Sequence, residues 1–387
     1  MQNWSTSYQK LDAFPAEAGR LGVQAWVSPA VNDPWWDDFL RTTPCGQFQQ
    51  SSLWAEYKAF EGWRQHRVVV TSAAGITGGF QILWKKVRVG RIGYVSKGPV
   101  AAPESAPLVH LLGLLLKSAG RDLGLIALIV QQPDETQALL PANAETGLVQ
   151  SNPQGVIEAT YLVDLDKEMD VLRAQMSPSL RRNLRKARKQ PGVVREGKES
   201  DLPLFFELMA ATCRRQATAP NPASLAAVQR LWAVFAPSNS IRITFAECRG
   251  ATPATKLSLL FGRLVTVWKK GWDGSHGTWH PNELLEDEAM EWSRARGYRA
   301  CDFCSFDRLA AERIIRGIEV PGNELSSRDE YHVRFGGRPK LLPRSLVLLP
   351  NPLLRWVYRN TYSRLERHRE NQRQRTVAPP PESRPAT

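Results

Sequence analysis

Apolar and polar positions along the chain switch repeatedly between the period of a strand and that of a helix. Gln24–Ser28 reads as a first strand. Asp33-Pro34 opens a short helix through Arg41, with Pro at the favoured first helical position. Ser51 or Ser52 can cap a second helix, in which Leu53, Trp54, Tyr57 and Phe60 recur at helical spacing until Gly62 ends it. Arg64–Thr71, Gly79–Val87 and Gly90–Ser96 are short, β-branched or aromatic and punctuated by Gly, which predicts strands. A helix fits Ser105–Arg121 and a buried strand fits Leu125–Val130. Pro141, Asn152 and Pro153 mark a loop, and Gly155–Leu165 reads as a strand closing the first lobe.

The rest of the chain runs through the same order again. Helices fit Lys167–Gln175, Ser177–Gln190, Asp201–Gln216 and Ser224–Phe235. Strands fit Ile241–Cys248, Lys256–Phe261 and Leu264–Trp268, followed by a helix over Asn282–Arg296 and a strand over Ala300–Phe303. This is a repeat of architecture and not of visible sequence. It predicts a mixed α+β (α/β) protein of two lobes, each a mixed sheet flanked by helices. A length of 387 residues also exceeds what one core of roughly 250–300 residues holds. The expected organisation is a flexible N-terminus (1–20), a first lobe (21–165), a second lobe (166–340), a C-terminal arm (341–370) and a disordered tail (371–387). Within the arm, Pro343, Pro350 and Pro352 forbid one long helix. That apolar, Arg-bearing segment either meets a membrane surface or packs on the first lobe.

Composition narrows the function classes. The 51 Lys+Arg against 38 Asp+Glu give a net charge of +13, which favours anionic partners. Five cysteines in a long chain do not read as a disulfide framework. The first twenty residues lack the apolar core of a signal peptide, and no apolar run reaches the roughly 20 residues that span a bilayer. The expectation is a cytoplasmic protein with peripheral contact at the inner membrane face as an option. A zinc site can be drawn from His276, His280, Cys301 and Cys304, but the histidines read as loop residues and the cysteines as strand hydrophobes. No nucleophile elbow or P-loop is present.

The most distinctive segment is Ser177–Lys189. Ser177 is a good cap and Pro178 sits at the first helical position. Leu180, Leu184 and Ala187 form an apolar stripe, while Arg181, Arg185 and Arg188 fall on another face. No acid lies between Ser177 and Gln190, so the self-repulsion of this face points to an anionic partner. Its lack of aromatics argues against single-stranded nucleic acid and against a purely anionic-polymer-binding role.

Several segments in order resemble the FemABX family of peptidoglycan bridge-forming aminoacyltransferases, and the broader FemAB-like and BioF2-like acetyltransferase-domain proteins. They include Gln50–Lys58, Lys97-Gly98-Pro99-Val100, Leu180–Ala187, Thr212-Cys213-Arg214-Arg215, His280–Leu285, Gly297–Phe303 and Tyr331–Gly337. The resemblance covers roughly residues 20–345 and implies two tandem lobes of the GNAT acetyltransferase type. It further implies transfer of an aminoacyl group from aminoacyl-tRNA to an amine of a phosphate-bearing cell-wall precursor, with no bound cofactor. Lys58 and Arg215 would clamp the acceptor phosphates, and the basic helix would meet a tRNA backbone or a lipid head group. Where family members carry an acid before Pro, this chain has Gln132-Pro133 with Asp134 beyond. Where they carry Phe-Lys, it has Tyr331-His332. Gln132, Asp134 and His332 are therefore the candidate catalytic positions, with His332 supplying a cation only when protonated. The competing donor is acyl-CoA, although the usual pyrophosphate loop of coenzyme A acetyltransferases is not found in the sequence.

Overall fold

The structure is a computed structural model that describes residues 8–11, 17–134, 136–151, 156–358 and 360. The expected disordered tail, and residues 1–7 and 12–16 of the expected flexible N-terminus, lie outside the described residues.

One connection is used twice. In the first lobe β1 (Gln9–Lys10), β2 (Gln24–Ser28), β3 (Arg64–Ser72), β4 (Gly75–Val87) and β5 (Gly90–Ser96) run antiparallel in sequence order. A short β6 (Val100–Ala101) pairs on β4. Helices α1 (Glu17–Leu21), α2 (Pro34–Thr42) and α3 (Ser52–Phe60) precede β3. After β6, helix α4 (Ala106–Asp122) crosses over, and β7 (Leu125–Gln131) returns parallel to β5. The caps are those the sequence supplies: Asp33, Ser51 and Ser105 each accept a backbone N–H in the first turn of α2, α3 and α4. The α4 leucines pack on this sheet as one apolar core.

Two further strands, β8 (Leu148–Gln150) and β9 (Ala159–Asp164), lead into the second lobe, which starts with α5 (Met169–Gln175) and α6 (Pro178–Arg188). There β10 (Gly192–Glu196), β11 (Ile241–Cys248), β12 (Ala251–Phe261) and β13 (Leu264–Trp272) are antiparallel. Helices α7 (Leu202–Arg215) and α8 (Leu225–Phe235) fall between β10 and β11. Helix α9 (Pro281–Ala295) then crosses over to β14 (Ala300–Ser305), parallel to β13. The chain continues through α10 (Arg308–Ile315), α11 (Ser327–Val333), β15 (Arg338–Leu341), β16 (Leu346–Leu348) and α12 (Pro352–Val357). The mixed fold of two helix-flanked sheets is the one the sequence predicts.

The chain nevertheless exchanges strands between lobes. The strand expected to close the first lobe is β9, and it pairs with β14 and β15 in the second sheet. The first sheet is completed from the far end of the chain, where β16 of the C-terminal arm pairs with β7 and β8. Both strands are apolar runs that fit either sheet by pattern alone, so only the pairing decides. The arm thus packs on the first lobe over β16.

Another apolar core belongs to both lobes. Trp36, Trp54 and Tyr57 of α2 and α3 pack with Phe205, Leu231, Phe235, Leu257 and Phe261 of the second lobe. Trp54 meets Trp268 edge to face at 6.0 Å between centroids, and Arg230 of α8 bonds Glu56 of α3 at 2.8 Å. Gly271 lets α7 lie directly on β13, since a Cβ there would stand 2.6 Å from the Met209 nitrogen.

Truncating an aromatic side chain at this depth removes transfer energy and leaves a cavity. Trp54→Ala is expected to cost about 3–5 kcal/mol, read as the shift in urea-unfolding free energy. The wild type is expected to unfold in one transition; two transitions, of which Trp54→Ala moves only one, would show energetically separate lobes.

Candidate active site

The site follows from where parallel strands end. Strands β5 and β7 finish at Ser96 and Gln131, and β14 finishes at Ser305. In open α/β sheets ligands collect beyond the carboxyl ends of such strands. Strands β13 and β14 pair over only Leu264–Thr266 and Ala300–Asp302, after which they splay. The gap opens toward the same end.

Asp302 stands at the splay. It is buried, and its carboxylate accepts hydrogen bonds from the Thr160 hydroxyl and, at 2.7 Å, from the Cys304 amide. Burial raises its pKa to about 6, with nearby Asp134 adding to the rise. The two hydrogen bonds and the charge of Lys97 oppose it. Asp134 comes from the first lobe, where its carboxylate is ion-paired with Lys97 and accepts from Gln47 Nε2 at 2.8 Å. Lys97 and Cys304 each hold φ in the left-handed region, at 56° and 62°. Non-glycine residues in this conformation cost of order 1–3 kcal/mol and gather at functional sites. Gly98 is required beside them, because a Cβ would meet the Gln50 carboxamide at 2.6 Å.

The second lobe adds Lys269. Strand β13 is bulged, with the register shifting between Leu257 and Ser258 on its partner. Such bulges re-aim side chains next to active sites. Trp268 thereby joins the inter-lobe core while the Lys269 ammonium lies 4.8 Å from its ring. Burial lowers the Lys269 pKa, as does nearby Lys58; Cys304 and Cys213 pull it back up. Mutual electrostatic reach therefore gathers Lys97, Asp134, Asp302, Cys304, Lys269 and Lys58 into one cluster at the junction of the lobes.

The sequence-predicted residues divide. Asp134 and Lys58 belong to this cluster. Lys58 pairs with Glu61 one turn on and lies over the Trp54 and Tyr57 rings. Arg215 is exposed at the end of α7, two residues beyond Cys213, and stacks 4.8 Å over Trp272. Gln132 is consumed structurally: it accepts from the Leu140 amide and donates to the Arg344 carbonyl, tying the loop after β7 to the C-terminal arm. His332 is corrected as a cation. It is buried against Phe303, Tyr161 and Tyr331, and burial with nearby Lys270 lowers its pKa to about 3.

The basic helix stands apart from the cluster at the lobe junction. Its capped start and its buried stripe of Leu180, Leu184 and Ala187 are as expected. However, α6 packs with α9 on one face of the second sheet, whereas α7 and α8 pack on the other against the first lobe. Arg188 is ion-paired with Asp287 of α9, and Arg173 bonds Asp287 and Glu291. Arg181 donates to the Ala174 carbonyl at 3.3 Å, and Arg185 is exposed. Among the described residues, the one acid that ion-pairs with this helix, Asp287, comes from α9 and holds Arg188 alone of its cations, while Arg182, Arg185, Lys186 and Lys189 stay exposed.

Asp302 and Lys269 escaped the sequence reading. The available signal was a carboxylate flanked by Cys301 and Phe303 in a buried strand.

Comparisons bear out the resemblance and the fold. Residues 33–148 match the FemAB family, and residues 174–309 match the acetyltransferase (GNAT) domain. Lipid II:glycine glycyltransferases of two Staphylococcus epidermidis strains are 26% identical over 191 residues, covering 46% of this chain and 46% of theirs. The chain thus spans about half the length of these curated relatives. The crystal structure of FemX superposes with a TM-score of 0.70 at 16% identity, over 84% of this chain and 97% of that one.

The raised Asp302 pKa has a sign that can be tested. A carboxyl that titrates near 6 when folded and near its ordinary 3.8 when unfolded binds its proton more tightly in the fold. Stability then falls as pH rises from about 4 to about 6 and levels off above. The difference of about two pKa units corresponds to roughly 3 kcal/mol at 1.36 kcal/mol per unit. Asp302→Asn is expected to be the more stable protein at pH 7, with the advantage vanishing toward pH 4, measured by urea unfolding across that range. An equal effect at both ends would remove the buried carboxyl from the account.

Proposed function

We propose that this protein, with a first lobe of FemAB type and a second lobe of GNAT type, is an acyltransferase that forms amides on a cell-envelope precursor. Its donor is aminoacyl-tRNA, and its acceptor is an amine of a phosphate-bearing, peptidoglycan-type precursor. The observation that carries this reading is the cluster at the lobe junction, in which Asp302 of one lobe lies within electrostatic reach of the Lys97–Asp134 pair of the other.

The chemistry is modest. The acceptor amine attacks the carbonyl carbon of the aminoacyl ester, the bond to the ribose oxygen breaks and an amide forms. The proton lost by nitrogen ends on the ribose oxygen. An ester already carries the activation, so holding the two reactants in register supplies most of the acceleration and no further cofactor is needed. Asp302, poised near neutrality, accepts the amine proton as general base. The Lys97–Asp134 pair fixes the charge beside it. Lys58 and Arg215 hold the acceptor phosphates, the latter with a planar fork suited to them.

A specific feature favours the tRNA ester over acyl-CoA. Coenzyme A acetyltransferases seat a pyrophosphate at the N-terminus of the crossover helix. Here both crossover helices start beside an acid. Glu283 lies in the first turn of α9 with Arg334 at 3.8 Å, and Glu104 precedes α4 and accepts the amides of Gln137 and Ala138. A carboxylate in that position repels phosphate.

The test is incubation with labelled aminoacyl-tRNA or acyl-CoA and amine-bearing precursors, read by mass spectrometry. Label is expected to leave the tRNA ester and appear as a new amide; label leaving only the CoA ester would overturn the reading. Asp302→Asn is expected to lower kcat by about 10²–10⁴. Lys58→Ala and Arg215→Ala are expected to raise KM for the phosphate-bearing acceptor more than they lower kcat.

A further inference from the structure

The end of the first lobe remote from this cluster carries charge and apolar surface that the reaction does not use. Strand β16 runs antiparallel to β7, with Leu346 opposite Val130 and Leu348 opposite Leu128, so it leads away from Gln131 and the cluster. It delivers α12 to the far end of the sheet. Asn351 caps α12, and Arg355 is turned back onto the Leu349 carbonyl at 2.9 Å. No residue of α12 is buried. Leu353 and Trp356 are 67% and 65% exposed, and Leu354 is exposed beside them.

The same end holds two more elements. Arg91, the second residue of β5, lies opposite Leu125, the first residue of β7, so the β4–β5 hairpin tip lies at this end. That tip presents Val89, 76% exposed, between the exposed Lys86, Arg88 and Arg91. Strands β5, β7 and β16 are successive neighbours, which puts the tip about 10 Å from α12 in the plane of the sheet. Helix α4 ends here too, bringing exposed Arg121 near Lys117 and Arg355. Asp122 and Glu145 are the acids close by; Glu145 lies by His110, and its carbonyl accepts from Lys117. Sequence beyond α12 continues the theme, with six arginines against two glutamates between 359 and 375.

We propose that this end of the first lobe is a docking surface for an anionic lipid bilayer. Leu353, Leu354, Trp356 and Val89 enter the boundary between head groups and acyl chains, and the surrounding Lys and Arg side chains meet the lipid phosphates. Exposed Trp and Leu flanked by cations are the composition of interfacial anchors, in which apolar burial and attraction to anionic lipid add. Docking by this end leaves the cluster, at the other end of the same sheet, open to its reactants. The inference stands apart from the acyl transfer, because its readout is binding and not turnover.

The experiment is co-sedimentation of the full chain with phosphatidylcholine vesicles and with vesicles in which about a third of the lipid is phosphatidylglycerol. Binding to the anionic vesicles is expected, falling at least about tenfold on neutral ones and weakening with salt. Leu353→Glu with Trp356→Glu is expected to lose at least about tenfold in vesicle binding with an unchanged melting temperature, since these side chains are exposed. Lys86→Glu with Arg88→Glu is expected to weaken binding selectively on anionic vesicles. Equal binding by the Leu353/Trp356 variant would overturn the proposal. So would a dimer of the wild type that this variant dissolves while vesicle binding is unaffected, because the patch would then seat a second copy.

Discussion

Everything about the site depends on the apolar seam between the two lobes. Helices α2 and α3 contribute Trp36, Trp54 and Tyr57 to the same core as α7, α8, β11 and β12. Because interiors are close-packed and resist small displacements, that seam fixes Lys58 against Lys269, and the Lys97–Asp134 pair against Asp302, without any direct bond between those groups. The strand exchange strengthens the arrangement. With β9 in the second sheet and β16 in the first, neither sheet is complete without chain from beyond its own lobe. Two lobes of one architecture thus become a single scaffold, and the reactive groups lie where their strands end.

Electrostatics explains why a charge of +13 was a poor guide to the site. Much of the basic surplus in the second lobe is spent on one acidic helix. On α9, Asp287 holds Arg173 and Arg188, Glu288 holds Arg242, and Glu286 holds Lys256 and Lys270. The Lys256–Glu286 pair is fully buried, and two ammonium groups hold the glutamate well below its ordinary range. Such pairs are expensive to break and contribute little net stability when intact. Among the described residues, cations without an acid partner include Arg215 at the end of α7, Arg182, Arg185, Lys186 and Lys189 on α6 and its C-terminal cap, and those at the far end of the first sheet.

Most of the fold was legible because each element carried its own signals. Asp33, Ser51, Ser105, Ser177 and Ser224 all cap the helices that follow them. The β-branched and aromatic content of β3 and β5, set between glycines, marked their extents. What could not be read was pairing between distant segments. Nothing in Ala159–Asp164 says which sheet it joins, and nothing in Ser177–Gln190 announces Asp287 a hundred residues later. The site was half legible for the same reason. Lys58, Arg215 and Asp134 follow from the resemblance, whereas Asp302 becomes a candidate only once burial and the first lobe's Asp134 are seen around it. His332 failed because a neighbouring ring cluster, invisible in sequence, denies it a proton.

The central claim is that the junction of the lobes holds the phosphate-bearing acceptor. Photocrosslinking a diphosphate-bearing, amine-containing precursor to the protein, with the attached peptides mapped by mass spectrometry, tests it most directly. Crosslinks are expected within Ser52–Phe60 and Leu202–Arg215, lost together when excess unlabelled precursor is added. Crosslinks confined to Pro178–Arg188, on the opposite face of the second sheet, would contradict it.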